Sequence, residues 1–161
     1  MYDFLIFVFP ICLGVAAVSD VKTGEIPNIV SLILISVAFI LLLLRNAPLN
    51  EFIIRGGISI TILIICILLF RFSALGGGDG KLLTAVSVWS GPQFTLKFLI
   101  IMSLVGGLIA LAILLLRQLP KKYEVSLPFV IRKYCSATVG IPYAVAIAVS
   151  GIFCWWSHDL I

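Results

Sequence analysis

The sequence from residue 96 to residue 116 is LKFLIIMSLVGGLIALAILLL. Its only charged residue is Lys97, and it has the roughly 20 apolar residues that a helix needs to cross the hydrocarbon core of a bilayer. Over the whole chain, 62% of the residues are hydrophobic and 11% are charged, against about 45–50% and about 25% in soluble domains. This composition excludes a disordered chain and a water-soluble globule, and it predicts a membrane protein.

Further apolar stretches lie on both sides of this run. They cover residues 2–19, 29–44, 56–70 and 141–156, and a shorter one covers residues 81–90 and extends back to Asp79. The first begins with an acidic residue, Asp3, which favours a retained helix over a cleaved signal peptide. We therefore predict an all-α, polytopic membrane protein with about six transmembrane helices, forming a single domain over residues 1–161.

The distribution of Lys and Arg predicts the orientation of these helices. With six spans, eight of the eleven basic residues fall in the first, third and fifth loops and three fall on the opposite side. Because cytoplasmic loops carry the excess of Lys and Arg, both termini are expected outside and the three odd-numbered loops in the cytoplasm. The basic residues are scattered rather than clustered, so the expected partner is a lipid bilayer and not a nucleic acid.

Two of the seven acidic residues, Asp20 and Asp79, lie where a loop meets an apolar helix, on the predicted cytoplasmic side. A purely structural interpretation makes Asp20 an interfacial residue at the end of the first helix and Asp79 an N-cap. Asp79 is, however, surrounded by glycines, which remove side-chain bulk and allow close approach of another backbone. These glycines are Gly76, Gly77, Gly78 and Gly80. A phosphate-binding loop is excluded, because Leu75 and Leu82 stand where that motif requires glycine and a hydroxyl.

Two aspartates in one site have well-defined chemistry. Like charges close together cannot both ionise cheaply, so the pair holds one proton between them. The ionised member can then take a proton from an attacking water while the protonated member donates to a peptide carbonyl. This chemistry needs neither a metal nor a cofactor. The chain also lacks a conventional zinc set, since its four cysteines are irregularly spaced and His158 is its single histidine.

Three segments resemble motifs of the type IV prepilin peptidases, the membrane aspartic endopeptidases of the GxGD type. Residues 76–81 are GGGDGK, residues 20–28 are DVKTGEIPN, and residues 140–148 are GIPYAVAIA. The resemblance implies that Asp20 and Asp79 are catalytic and that the substrate is a prepilin, whose short basic leader is cut just before a hydrophobic helix. It also implies cleavage at the cytoplasmic face of a prokaryotic cytoplasmic membrane. With no CxxC motif, the chain is most similar to the short stand-alone peptidases of Flp/Tad pilus systems.

The resemblance and local physics suggest supporting roles near the two aspartates. Pro27 is expected to break the chain between the first two helices, and Asn28 to cap the second. Lys81 either tunes the aspartate pair or meets lipid headgroups, and snorkelling favours the headgroups. The same expectation of support covers the glycines of the GxGD segment, Gly76, Gly78 and Gly80.

The loop over residues 117–140 combines basic residues with an apolar run that contains Leu127, Phe129 and Ile131. It is expected to lie on the membrane surface; alternatively, these three side chains guide the substrate helix. A rival function for the whole protein is a small transporter or proton relay that uses the same two aspartates. That rival predicts polar residues along several helices. A non-catalytic scaffold would leave the glycine cluster unexplained, and the sequence does not indicate an oligomeric state.

Overall fold

The computed structural model describes residues 3–89, 91–118, 134 and 140–157. Within these ranges the regular secondary structure is entirely helical, which confirms the predicted all-α class. The helices are α1 (Asp3–Ile6), α2 (Val8–Thr23), α3 (Asn28–Leu44), α4 (Leu49–Arg71), α5 (Gly77–Val88), α6 (Pro92–Arg117) and α7 (Tyr143–Trp156).

Three helical segments are long and apolar enough to cross a membrane: Phe4–Thr23, Leu49–Arg71 and Phe94–Arg117. Helices α3 and α7 are shorter but also apolar. The outer surface is apolar as well; on α6, for example, Leu104 and Leu108 are both about two-thirds exposed. These features confirm a polytopic helical membrane protein.

Helix α5 is the short element that the sequence predicted at residues 79–90. Its 12 residues span about 18 Å at 1.5 Å per residue, well short of the roughly 30 Å hydrocarbon core. It packs against α3, α4 and α7, and its residues from Leu82 to Val88 are buried. α5 is therefore a central helix surrounded by longer ones.

Hydroxyl groups attach α5 to α4. Ser59 donates a hydrogen bond to the carbonyl oxygen of Thr84 at 2.9 Å, and the Ser87 hydroxyl contacts the Ser59 hydroxyl at 3.0 Å. The indole N–H of Trp89, just beyond α5, donates to the carbonyl oxygen of Leu34 on α3 at 2.9 Å. These bonds satisfy polar groups that would be costly to bury alone.

Arg55 explains how α5 can end inside the bundle. The sequence placed Arg55 in a loop, because its charge stands outside the apolar stretch 56–70. In the structure α4 begins at Leu49, and Arg55 lies within it, 9% exposed. Its guanidinium donates to the carbonyl oxygen of Trp89 at 2.6 Å and pairs with Glu51 at 3.4 Å. A cation at a helix C-terminus interacts favourably with its unpaired carbonyls, so Arg55 stabilises the early end of α5.

The two ends of the bundle differ in character. At one end, aromatic side chains pack in pairs: Phe7 contacts Trp155 with ring centroids 5.6 Å apart, and Phe39 contacts Phe52 at 6.4 Å. At the other end, the last residues of α2, the connection between α4 and α5 and the residues before α7 surround a cavity. The connections predicted to be cytoplasmic thus meet at one end of the bundle.

Candidate active site

Asp20 and Asp79 line the same cavity, which has a volume of about 720 Å³. Asp20 lies one turn before the end of α2, where Gly24 adopts a left-handed conformation (φ 77°) and donates its N–H to the carbonyl oxygen of Asp20 at 2.8 Å. The two residues also share the wall of a second, smaller cavity. The structure therefore brings together the two carboxylates that the sequence singled out.

Asp79 is the third residue of α5, and the residue at the N-cap is Gly76. The interpretation of Asp79 as an N-cap is therefore wrong by one turn. Its carboxylate instead reaches back to the backbone of Gly76. A Cβ atom on Gly76 would lie 2.6 Å from Asp79 Oδ2, so a side chain at residue 76 would displace the carboxylate.

At Gly78 and Gly80, the absence of a Cβ atom leaves room for side chains from other parts of the chain. A Cβ atom on Gly78 would lie 3.3 Å from the Cβ of Ile26, and one on Gly80 would lie 3.1 Å from the Cβ of Cys66. The sequence predicted the approach of another backbone at these glycines; the structure shows side chains instead. Ile26 belongs to the turn between α2 and α3, so Gly78 joins that turn to the start of α5.

The turn itself is held by hydroxyl groups. Ser19 donates a hydrogen bond to the carbonyl oxygen of Glu25 at 2.8 Å, and Thr23 donates to the carbonyl oxygen of Ser19 at 2.8 Å. Pro27 follows in an extended conformation (φ −61°, ψ 129°) at the N-cap of α3. Pro27 thus separates the two helices, as the sequence predicted.

Asn28 does not cap α3, contrary to the prediction. Because Pro27 occupies the N-cap, Asn28 is the first residue of the helix, and no side-chain cap hydrogen bond forms. Its amide oxygen instead accepts a hydrogen bond from Nζ of Lys81 at 3.0 Å. Lys81 therefore has a protein partner where the sequence favoured lipid headgroups, and the pair links the first turn of α3 to the first turn of α5.

We expect Lys81→Met and Asn28→Ala each to lower the kcat/KM of the reaction at the two aspartates about tenfold, since each removes one charge-assisted hydrogen bond near Asp79. Because both variants remove the same bond, the double variant should lose no more than either single variant. The measurement is a double-mutant cycle on the kcat/KM of this reaction. Losses that multiply in the double variant would contradict this shared role. Lys97→Met, at the opposite end of the bundle, serves as the control and should be unaffected.

Asp20 has a partner that the sequence did not predict. The N–H of Ala144, the second residue of α7, donates to Asp20 Oδ2 at 3.2 Å. The positive end of α7 therefore faces the carboxylate. The only signal in the sequence was the segment 140–148, and the structure places Pro142 of this segment at the N-cap of α7.

Two more side chains line the cavity. Arg117, at the end of α6, donates a hydrogen bond from Nε to the carbonyl oxygen of Tyr134 at 3.2 Å, and both residues contribute to the wall. Sequence reasoning did not single out Tyr134. The candidate substrate-guiding residues Leu127, Phe129 and Ile131 lie outside the described residues.

A second cavity, of about 250 Å³, opens on the other side of the two aspartates. It shares Asp20, Gly24, Gly76 and Asp79 with the first cavity. The rest of its wall consists of Glu25, Ile26, Asn28, Gly77, Gly78 and Lys81. The carboxylates are thus reachable from two directions.

The fold and the site together define a helical membrane protein with two carboxylates in an open cavity at one end of the bundle. The chain belongs to the type IV leader peptidase family, whose sequence profile matches residues 7–111. The matched segment contains both aspartates and ends within α6, before α7. No curated protein and no solved structure matches the chain significantly. Family membership makes the protein a membrane peptidase of the leader-peptidase kind.

Proposed function

We propose that the protein is an aspartic endopeptidase that removes the leader peptide of Flp-like type IV prepilins. Cleavage takes place at the cytoplasmic face of a prokaryotic cytoplasmic membrane, and both termini lie outside. The observation that carries the proposal is the meeting of Asp20 and Asp79 in one cavity, inside the segment that matches the family. Asp20 is also held by the backbone N–H of Ala144, and the carboxylate of Asp79 lies against the backbone of Gly76.

In this mechanism the two aspartates share one proton. The ionised carboxylate takes a proton from water as the water oxygen bonds to the scissile carbonyl carbon, and the protonated carboxyl donates its proton to the carbonyl oxygen. The resulting diol then breaks its C–N bond. The amine leaves with a proton from the first aspartate, and the second takes the diol proton back. The single proton is restored to the pair at the end of the cycle.

The surrounding residues keep the pair in place. Pro27 and the hydroxyl-bonded turn before it fix the end of α2, which carries Asp20. The Asn28–Lys81 hydrogen bond holds α3 against α5, which carries Asp79. Preorganised geometry of this kind is what catalysis by a pair of groups requires. Residues 1–161 would then act as one domain in the bilayer, with no cofactor.

We expect the cleavage rate to follow a bell-shaped pH profile. At low pH both aspartates are protonated and neither can take a proton from water; at high pH both are ionised and neither can donate one. The two limbs of the profile report apparent pKa values that belong to the pair rather than to either residue. The check is kcat/KM across the acidic to weakly alkaline range. A flat profile, with substrate binding constant, would argue against a shared proton.

A proton relay or small transporter is the alternative use of two aspartates near a membrane surface. Buried hydroxyls do run along α4 and α5, at Ser59, Thr84 and Ser87. Each of them, however, donates to a backbone carbonyl, Thr84 to that of Gly80 and the other two to that of Thr84. The bond from Ser59 joins α4 to α5 and the other two lie within α5. Each hydroxyl thus has a fixed carbonyl acceptor, which favours the peptidase over the relay.

The direct test reconstitutes the purified protein in liposomes with a Flp-type prepilin precursor. The expected result is a single cut that releases the leader, located by mass spectrometry of both products. A pH-sensitive dye inside the same liposomes measures proton flux. If the precursor stays intact and the liposomes show a proton flux that requires Asp79, the peptidase proposal is wrong and the protein is a proton relay.

A further inference from the structure

An apolar groove of about 570 Å³ runs along the outside of the bundle next to the two aspartates. One wall is α3, with Ile29, Leu32 and Ile35, and the other is Leu63 of α4. Thr84 of α5 lies between them and is 9% exposed. The walls are largely open, since Leu32 is 59% and Leu63 is 38% exposed. The groove therefore faces the hydrocarbon of the bilayer.

The groove exists because α5 is short and central. Helices α3 and α4 pack chiefly against α5 rather than against each other, although Phe39 and Phe52 bring them together at the far end. They therefore separate towards the end that carries the aspartates. The space between them is a wedge whose floor is α5.

The groove is continuous with the aspartate site. Asn28 and Lys81 line both the groove and the second cavity, and the second cavity contains Asp20 and Asp79. Thr84 lies five residues beyond Asp79 on α5, a rise of about 7.5 Å. Two or three extended residues, at about 3.3–3.6 Å each, would cover that distance.

The shape and chemistry of this path favour one kind of occupant. Along α3 the groove extends from Asn28 to Ile35, about 10 Å or two helical turns. Small residues at the contact, Ser31 and Thr84, allow a second helix to approach closely. The hydroxyl of Ser31 has no hydrogen-bond partner within the described residues. At its polar end the path leads to the two aspartates, where a peptide substrate presents a bond to cleave and a lipid acyl chain presents none.

We propose that this groove binds the apolar membrane helix of the substrate, with the scissile peptide extending past the Asn28–Lys81 bond to the two aspartates. The inference rests on the proposed peptidase function and assigns the substrate helix a place on α3, α4 and α5. The substrate then enters sideways from the bilayer. Its helix is positioned before its peptide bond reaches the aspartates.

The test compares two tryptophan variants on neighbouring residues of α3. Leu32→Trp fills the groove, whereas Ile33→Trp adds the same bulk to a residue that is 40% exposed and does not line the groove. Both are assayed on a full-length Flp-type precursor in proteoliposomes and on a soluble peptide that contains the cleavage site without the membrane helix. Leu32→Trp should raise the KM for the precursor about tenfold or more and leave peptide cleavage unchanged. Ile33→Trp should change neither.

A crosslinking experiment identifies the occupant directly. Benzoylphenylalanine replaces Leu63 in the Asp79→Asn background, so that the precursor stays intact, and the sample is irradiated with saturating precursor. Adducts with the precursor helix support the proposal. Adducts with lipid alone, or between two copies of the enzyme, would overturn it.

Failure of this inference is separable from failure of the proposed function. If the wild-type protein does not cut the precursor, the peptidase proposal itself falls. If the wild type cuts it and Leu32→Trp behaves like Ile33→Trp, only the groove assignment falls. Equal loss on precursor and soluble peptide would also overturn it, because the substitution would then act on the aspartates and not on helix binding.

Discussion

Asp20→Asn and Asp79→Asn will each abolish leader cleavage, with a loss of about a thousandfold or more, the range expected when general acid–base catalysis is removed. Asparagine keeps the size of the side chain but can neither take nor donate the shared proton. Because each aspartate fills both roles in turn, one cannot substitute for the other. The measurement is the cleavage rate of a Flp-type precursor by purified enzyme, with membrane insertion verified separately.

Glu25→Gln is the matched control for these variants. Glu25 lines the second cavity together with both aspartates, but its side chain is exposed in the turn before α3. Glu25→Gln removes one negative charge, as the Asn variants do, but it should retain most of the activity. A single Asn variant that retains more than a few per cent of activity would rule out a mechanism that needs both aspartates.

Gly76→Ala should lower kcat about a hundredfold, the scale of loss expected when a reacting group is misplaced by about 1 Å. The backbone of Gly76 has φ −69° and ψ 144°, a conformation that alanine adopts freely, so the substitution adds no backbone strain. The added Cβ atom would instead lie 2.6 Å from Asp79 Oδ2. The carboxylate must then turn away from its place against the Gly76 backbone.

Gly77→Ala is the control for the variant at Gly76. Its added Cβ atom would lie 3.4 Å from the ring of Phe70, an ordinary contact, and alanine favours the helix that begins there. Its activity should stay within about threefold of the wild type. Similar losses from the two alanine variants would show that Gly76 is not needed to seat the Asp79 carboxylate.

The membrane helices were largely predictable because the bilayer imposes a simple rule of length and hydrophobicity on each span. The start of α4 was not, because Arg55 broke the apolar stretch. A charge inside such a helix is compatible with burial only when a partner is supplied, and the partner here is the carbonyl oxygen of Trp89 on another helix. That contact arises from the packing of two helices, so the sequence around Arg55 does not indicate it.

The same distinction applies to the site. Asp20 and Asp79 stand out because acids are rare in this chain and each follows or precedes an apolar helix. Their immediate partners do not stand out. Asp20 is bonded to a residue 124 positions away, and Lys81 is bonded to one 53 positions away. Asn28 has a strong local preference for the N-cap, but Pro27 occupies that place, so a tertiary contact determines its role.

The hydrogen bond from Ala144 to Asp20 has a consequence for the order of events during biosynthesis. Asp20 lies in the first long helix to leave the ribosome, whereas Ala144 lies in the last helix described. Chains are made from the N-terminus, so a nascent chain already in the membrane up to α6 contains both aspartates but not the amide that holds one of them. The site is therefore completed only when α7 has inserted. Before that step the partly made protein contains both aspartates, but Asp20 lacks the hydrogen bond that holds it in the folded protein.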